Sequence, residues 1–111
     1  MIRLASIRQV SQMKLNTLRP GMENLELEVE ILSIGEPREV ETYSGHKHTL
    51  VEAEIKDETT TMGLTVWNET ISELEKVKPG DQAKLINCFI TSFKGVLSVN
   101  IGRESSIIKV N

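Results

Sequence analysis

A strict alternation of apolar and acidic residues at positions 25 to 31 places the strongest constraint on the fold of this chain. In the segment LELEVEI, the apolar residues Leu25, Leu27, Val29 and Ile31 are separated by three glutamates. Side chains that repeat every two residues share one face of a β-strand, whereas a helix would scatter them around its axis. The segment is therefore predicted to be a strand with one buried and one solvated face.

Further β-type runs follow at short intervals, separated by the turn signals RPG, GEP, YSG, DETT, KPGD and KG. TLVEAEIKD, at 49–57, alternates in the same way, with Val51, Ala53 and Ile55 on one face. MGLTVW, at 62–67, is a third predicted strand, and two more flank a Lys-Gly turn at 94–95. Many short strands with regular turns indicate an all-β sandwich or barrel.

One segment has helical rather than strand periodicity. TISELEKV, at 70–77, begins with Thr70 and has Glu73 three residues later, which is a capping-box spacing, and it precedes Pro79-Gly80. Its apolar residues are Ile71, Leu74 and Val77. Five strands with a short helix between the third and fourth is the order of the OB-fold, a five-stranded Greek-key barrel that binds oligonucleotides or oligosaccharides.

The chain of 111 residues is long enough for one domain. We expect a basic N-terminal extension at 1–16, in which the spacing of Leu4, Ile7, Val10 and Met13 permits a short helix, and a single OB-fold domain at 17–111. Residues 1–20 carry a charge of +4 within a chain whose net charge is −3, which leaves −7 for the remainder. The charges are therefore segregated along the chain.

Composition excludes several other classes of protein. No apolar run approaches the roughly 18 residues of a membrane span, and Arg3 and Arg8 interrupt the N-terminus, which makes it a poor secretory signal. We therefore expect a cytoplasmic protein, associated with the nucleoid if it is archaeal.

The sequence offers little to a metal or a cofactor. Cys88 is the only cysteine and is expected to be a small buried hydrophobe. His46 and His48 have a chelating spacing but no third ligand, so an exposed loop is favoured over a metal site. No cofactor, metal or catalytic residue is predicted, and the alternating glutamates are interpreted as a solvated surface that lies away from any nucleic acid.

The two phenylalanines lie in the hairpin NCFITSFKGVLSVN, at 87–100. If Lys94 and Gly95 form a two-residue turn, Phe93 pairs with Val96 and the register continues to Phe89 with Asn100. One face is then almost wholly aliphatic and forms the core. The other face carries both phenylalanines among polar residues, namely Asn87, Thr91, Ser98 and Asn100.

Trp67 follows the same rule, because Leu64 and Val66 share the core face of its strand and Trp67 points outward. A cluster of aromatic rings on the outer face is expected either to be covered by another part of the protein or to bind a ligand. The N-terminal segment or another subunit could cover it, or a bulge could break the alternation. The functional interpretation is a platform on which bases stack.

Three segments carry a resemblance to a known family: LRPGMENLELEVEIL, DETTTMGLTVW and VKPGDQAKLINCFITSFKGVLSVNIG. Together they resemble the simple, single-OB, single-stranded-DNA-binding proteins of archaea and their eukaryotic relatives, which are similar to the OB domains of replication protein A. The resemblance implies that Trp67, Phe89 and Phe93 stack with bases. It also implies backbone contacts from Arg38, Lys47 and Lys94.

Tyr43, in the YSG turn where a lysine is common in the family, and Asn100, on the aromatic face, complete the predicted nucleic-acid site. The predicted function is sequence-tolerant binding of single-stranded DNA in replication, repair or recombination. The alternatives are single-stranded RNA binding and a protein-interaction OB domain in a larger assembly. Protein partners would bind the N-terminal extension, or a flexible C-terminal tail that many relatives have and this sequence lacks.

Overall fold

The computed structural model describes residues 13–110. A short 3-10 turn (Leu15–Thr17) leads into the first strand, and a 3-10 helix (Asn68–Lys76) lies between the fourth and fifth strands. The strands in this part of the chain are β1 (Leu25–Ile34), β2 (Arg38–Glu41), β3 (Lys47–Lys56), β4 (Thr61–Trp67), β5 (Gln82–Phe93), β6 (Val96–Ile101) and β7 (Ser106–Val110). None of the helices within 13–110 is long and apolar enough to cross a membrane.

Five of the strands close into a barrel. β1 pairs with β3 on one side and with β5 on the other, β3 pairs with β4, and β5 forms a hairpin with β6. The parallel pairing of β4 with β6 completes the circle. This is the predicted OB-fold, and the fold class is confirmed. Two short strands outside the barrel were not predicted: β2 extends β3 as a hairpin, and β7 pairs with β5.

The alternating faces of the strands explain the core. The apolar positions of LELEVEI from Leu27 onward are buried, as are Val51, Ala53 and Ile55 of β3 and both Leu64 and Val66 of β4. Leu25, the first residue of β1, is half-buried and packs against this cluster. Cys88 is buried as expected, its Sγ donates to the Leu25 carbonyl oxygen at 3.3 Å, and desolvation raises the pKa of its thiol to about 11.

The helix between β4 and β5 is confirmed in position, but its predicted cap is wrong. It begins at Asn68 as a 3-10 helix, and the Thr70 side chain is buried, with its Oγ1 donating to the Gly102 carbonyl oxygen at 3.0 Å. Glu73 accepts hydrogen bonds from Lys76 Nζ at 2.7 Å and from the Ile107 backbone amide at 2.9 Å. Tertiary contacts with β7 and the loop before it therefore replace the local capping box.

The N-terminal 3-10 turn is fastened to the loop between β3 and β4. Leu15, which lies inside the predicted extension, is 1% exposed and belongs to the core. Its backbone amide donates to Asp57 Oδ2 at 2.8 Å, while Asp57 Oδ1 accepts from Thr59. Of the proposed N-terminal helix, Leu4, Ile7 and Val10 lie outside the described residues.

A bulge at Asn87 divides β5 into two halves, and the residues that point into the core are odd-numbered in the first half and even-numbered in the second. Asn87 has a φ of 58°, and the register with β1 shifts there, so that Leu27 pairs with Leu85 but Leu25 pairs with Cys88. Buried side chains of β5 are consequently odd-numbered before the bulge, at Ala83 and Leu85, and even-numbered after it, at Cys88 and Ile90. An extra residue in one strand has this effect because side chains alternate with a period of two.

The loop between β6 and β7 holds the bulge in place. Asn87 Nδ2 donates to the Glu104 carbonyl oxygen at 3.1 Å, and Ser105 Oγ donates to the Asn87 carbonyl oxygen at 2.7 Å. Ser105 Oγ also accepts from the Gly102 amide at 3.1 Å. At this point β5 changes its neighbour, since residues up to Ile86 pair with β7 and residues from Phe89 pair with β6.

We predict that Asn87→Val destabilises the protein by about 1–3 kcal/mol more than Asn87→Gly, because a β-branched residue is strained at positive φ while glycine is not. Both variants lose the same side-chain hydrogen bond, so they form a matched pair. Urea unfolding measures the difference. Equal stability of the two variants would show that the bulge does not fix the backbone at this residue.

We also predict that the contribution of Asp57 to stability is lost in acid. Burial raises the pKa of Asp57, but hydrogen bonds from Thr59 and from the Leu15, Thr59 and Thr60 amides outweigh it, so the folded-state pKa is lowered. The stabilisation is therefore complete above the unfolded pKa of about 3.9 and disappears as the pH falls through the folded value.

Urea unfolding of the wild type and of Asp57→Ala should thus differ by about 1–3 kcal/mol near pH 7, with the difference narrowing below about pH 4. Glu36→Ala, at an exposed acid, is the control and should show neither effect. A difference that stays constant across this pH range would contradict the assignment.

Candidate nucleic-acid interface

The β5–β6 hairpin has the predicted turn and register. Lys94 and Gly95 have φ values of 52° and 81°, as a two-residue type I′ turn requires, and Phe93 pairs with Val96. The pairs continue to Phe89 with Asn100, so both phenylalanines lie on the face opposite Ile90 and Val99. Phe93 is 75% exposed, and Lys94 Nζ lies 5.4 Å from the centre of its ring.

A groove of about 1140 Å³ runs across this outer face of the barrel. Trp67 on β4 and Phe93 on β5 line it, together with aliphatic side chains that include Leu50 and Val96. Hydroxyl groups line the surface between the rings, and Thr65 Oγ1 lies 3.1 Å from Ser98 Oγ. The lining is thus largely apolar with a few hydrogen-bonding groups, which is typical of a ligand site.

The Trp67 ring is held on two sides. Its Nε1 donates to Asn100 Oδ1 at 2.9 Å, and the His48 ring lies against it at right angles, with 6.1 Å between the ring centres. His48 is positioned in turn by Asn68, whose side chain contacts the His48 Nδ1 at 3.1 Å and accepts from the Thr49 amide at 3.0 Å. These contacts fix the orientation of a half-exposed indole.

Asn100, which was predicted to be part of the nucleic-acid site, lines the groove but is almost fully buried there. It is 3% exposed, and its Nδ2 donates to Thr91 Oγ1 at 2.9 Å and to the Ser98 carbonyl oxygen at 3.1 Å. The side chain therefore joins β5, β6 and Trp67 at the floor of the groove. Sequence alternation placed it on the correct face, and alternation carries no information about how deeply a residue is buried on that face.

Phe89 lies on the aromatic face without lining the groove. Its ring is half-buried against Gly102, where an added Cβ would come within 3.2 Å of Phe89 Cε1. Trp67 and Phe93 are thus brought together by the groove, and Phe89 lies beside it, next to the loop that holds the bulge.

The predicted basic and loop residues are spread over two faces. Arg38 pairs with Leu50 across the β2–β3 hairpin and is on the groove side, where its Nη2 lies 3.2 Å from Glu52 Oε2. Lys94 lines the groove. Lys47 is exposed on the opposite face of β3, because its number has the other parity, and Tyr43 is fully exposed at the tip of the hairpin.

Glu52 and Glu54 line the groove, so the expectation that the alternating acids lie away from the aromatic face is wrong for these two. In the pairing of β3 with β4 they stand opposite Thr65 and Gly63, on the same face as Trp67. Sequence reasoning also missed His48. The signal was present, because alternation from Glu52 back through Leu50 reaches His48 on the same face.

Comparison with known proteins identifies a family. The family described as single-stranded DNA binding protein Ssb-like, OB fold, matches residues 18–108. The single-stranded DNA binding protein Ssb of Saccharolobus solfataricus is 32% identical over 98 residues, which cover 88% of this chain and 64% of that protein. This chain therefore spans less than two thirds of the length of that curated relative.

Solved structures show the same fold. The replication factor A related protein from Methanobacterium thermoautotrophicum matches with a TM-score of 0.76 and 23% identity, over 90% of this chain and 91% of that one. The second OB-fold domain of replication protein A from Methanococcus maripaludis matches with a TM-score of 0.71 and 23% identity, over 90% and 97% of the two chains.

We predict that Asn100→Ala lowers the free energy of unfolding by about 1–3 kcal/mol, because several buried or half-buried groups lose their partner at once. Thr91→Val removes only one of these contacts and should cost less. Urea unfolding followed by Trp67 fluorescence measures both variants. An Asn100→Ala protein as stable as Thr91→Val would mean that the amide does not join these elements.

Proposed function

This chain belongs to the family of Ssb-like single-stranded DNA binding proteins with an OB fold, and from this premise we propose that it binds single-stranded DNA by stacking bases on the rings of the groove. The observation that carries the proposal is the pair Trp67 and Phe93, both lining one open groove. Every base has a π-face, so such stacking tolerates any sequence. A role in replication, repair or recombination is part of the proposal.

Burial supports the assignment of Phe93 as a ligand contact. A phenylalanine that is 75% exposed gains little from folding, yet it lies at the rim of a largely apolar groove. Trp67 is held by Asn100 and His48 in one orientation, so little freedom is lost when a base packs on it. We propose that these two rings are the main stacking sites.

We propose four further contacts, namely Phe89, Arg38, Tyr43 and Lys94. Phe89 is beside the groove, Lys94 projects over Phe93, and Tyr43 is exposed at the tip of the β2–β3 hairpin, where it can reach a strand leaving the groove. Lys47 is a weaker candidate, since it lies on the other face of β3. Asn100 acts in this proposal through Trp67.

Charge in the groove favours stacking over phosphate contacts. Among the described groove-lining residues Lys94 is the cation, while Glu52 and Glu54 are acids. Affinity that depends on phosphate neutralisation falls steeply with salt, with a slope of about −0.7 per neutralised phosphate for single strands. A shallow salt dependence is therefore expected.

The proposal is tested by titrating the protein with an unstructured DNA oligonucleotide while recording tryptophan fluorescence. Trp67 is the only tryptophan, so quenching reports on this groove alone. Single-stranded DNA should quench the emission, whereas a duplex of equal length should do so far less because its bases are already stacked. An RNA oligonucleotide measures the preference between the two polymers. Absence of quenching by a folded protein, together with no binding in a filter assay, would refute the function.

In the same titration, Phe93→Ala should weaken binding by about 1–3 kcal/mol with little change in the free energy of unfolding. Ile108→Ala is the matched control, since it removes another exposed apolar side chain, on β7 and outside the groove. Unchanged affinity in Phe93→Ala would exclude this ring as a stacking site. A large loss of stability would instead mark it as a packing residue.

A further inference from the structure

Two carboxylates lie where a polyanion would have to bind. Glu52 and Glu54 project from β3 into the groove, opposite Thr65 and Gly63 and on the same face as Trp67. Their neighbours along the strand, Val51 and Ala53, point into the core, which fixes the outward direction of both acids. The acids are therefore held in the groove by the same alternation that builds the barrel.

The backbone of β3 is fixed at this position. The Gly35 amide donates to the Glu52 carbonyl oxygen at 2.8 Å, and a Cβ at residue 35 would lie 2.8 Å from the same oxygen. Only glycine allows this approach, so the end of β1 packs directly on Glu52. The Glu52 side chain consequently starts from a rigid point beside β2.

Glu52 is paired with a cation, Arg38, on the β2 strand beside the groove. Arg38 Nη2 lies 3.2 Å from Glu52 Oε2, and the two side chains are 56% and 61% exposed. A pair this exposed is weak and opens readily. A guanidinium also binds phosphate oxygens with the same planar geometry that it offers a carboxylate.

We propose that Glu52 is a specificity-determining residue that competes with backbone phosphates for Arg38. The inference rests on the proposed function of the groove. When a phosphate reaches Arg38, the carboxylate must leave, and its charge then remains beside the phosphate. Each phosphate contact at this position thus carries an opposing cost, whereas stacking on Trp67 and Phe93 carries none.

The consequence is discrimination by ligand type. A duplex offers phosphates but keeps its bases inside, and its non-specific affinity comes almost entirely from phosphate neutralisation. A single strand offers bases to the rings. Lys94 in the groove and Arg38 beside it are balanced by Glu52 and Glu54. This balance weakens the electrostatic part of binding and therefore favours single strands over duplex.

The inference is tested with Glu52→Gln, which keeps the shape of the side chain and frees Arg38. Affinity for a DNA oligonucleotide at low salt should rise roughly 2- to 6-fold, as expected for one charge a few ångströms away in a water-like dielectric. The slope of log K against log salt should steepen by up to about 0.7, because a newly effective phosphate contact releases counterions. The affinity for duplex DNA should rise by at least the same factor as the affinity for the single strand.

The decisive measurement is a double-mutant cycle with Arg38→Gln. If Glu52 acts by competing for Arg38, the gain from Glu52→Gln disappears in the Arg38→Gln background. If it acts by general repulsion, the gain persists there and the inference is overturned. Glu75→Gln, on the 3-10 helix and outside the groove, removes the same charge and controls for the change in net charge.

The outcomes separate this inference from the function on which it rests. If the wild type and Glu52→Gln bind a single strand equally well, the competition is wrong and the function stands. If neither binds any oligonucleotide while both are folded by circular dichroism, both proposals are wrong. If Glu52→Gln tightens binding to single strands and to duplex through Arg38, both are supported.

Discussion

The bulge at Asn87 is the constraint on which the outer face of this barrel depends. Before it, the odd-numbered residues of β5 enter the core, and after it the even-numbered residues do. Without that extra residue, a continuous alternation from Ala83 and Leu85 would turn Phe89 and Phe93 inward. The loop between β6 and β7 holds the bulge through Glu104 and Ser105, so the facing of the phenylalanines depends on contacts made more than ten residues along the chain.

Two kinds of interaction then shape the groove that this facing opens. Buried polar contacts fix the orientation of the Trp67 ring, since the Asn100 side chain hydrogen-bonds to it and to β5. The charged side chains make only exposed contacts, namely the ion pair of Arg38 with Glu52 and the contact of Lys94 with the Phe93 ring. Such contacts are weak and open readily. The Trp67 ring is therefore preorganised, while the charged side chains around the groove are held only by exposed contacts.

Much of the candidate site could be predicted from the sequence because its hairpin is local. A Lys-Gly turn and a period of two fix which residues pair, so the local sequence predicts that both phenylalanines lie opposite the aliphatic side chains of the hairpin and that Trp67 lies opposite Val66. The burial of these side chains and the residues that they contact could not be predicted from the sequence. Asn100 is on the predicted face but is only 3% exposed, and the Phe89 ring packs against Gly102 rather than in the groove. Burial depends on what packs above a residue, and those neighbours come from distant strands.

By itself, the sequence determined the β-class, the order of the five barrel strands and the inward faces of β1, β3, β4 and the β5–β6 hairpin, since all of these depend on alternation and turns within a few residues. It did not reveal the short strands β2 and β7, the bulge, or the presence of Glu52 and Glu54 among the groove residues. The bulge and the full set of groove residues arise when the barrel closes and brings β4 beside β6 and β5 beside the loop before β7. Alternation assigns a residue to one side of its strand, but only the closed barrel decides what that side faces.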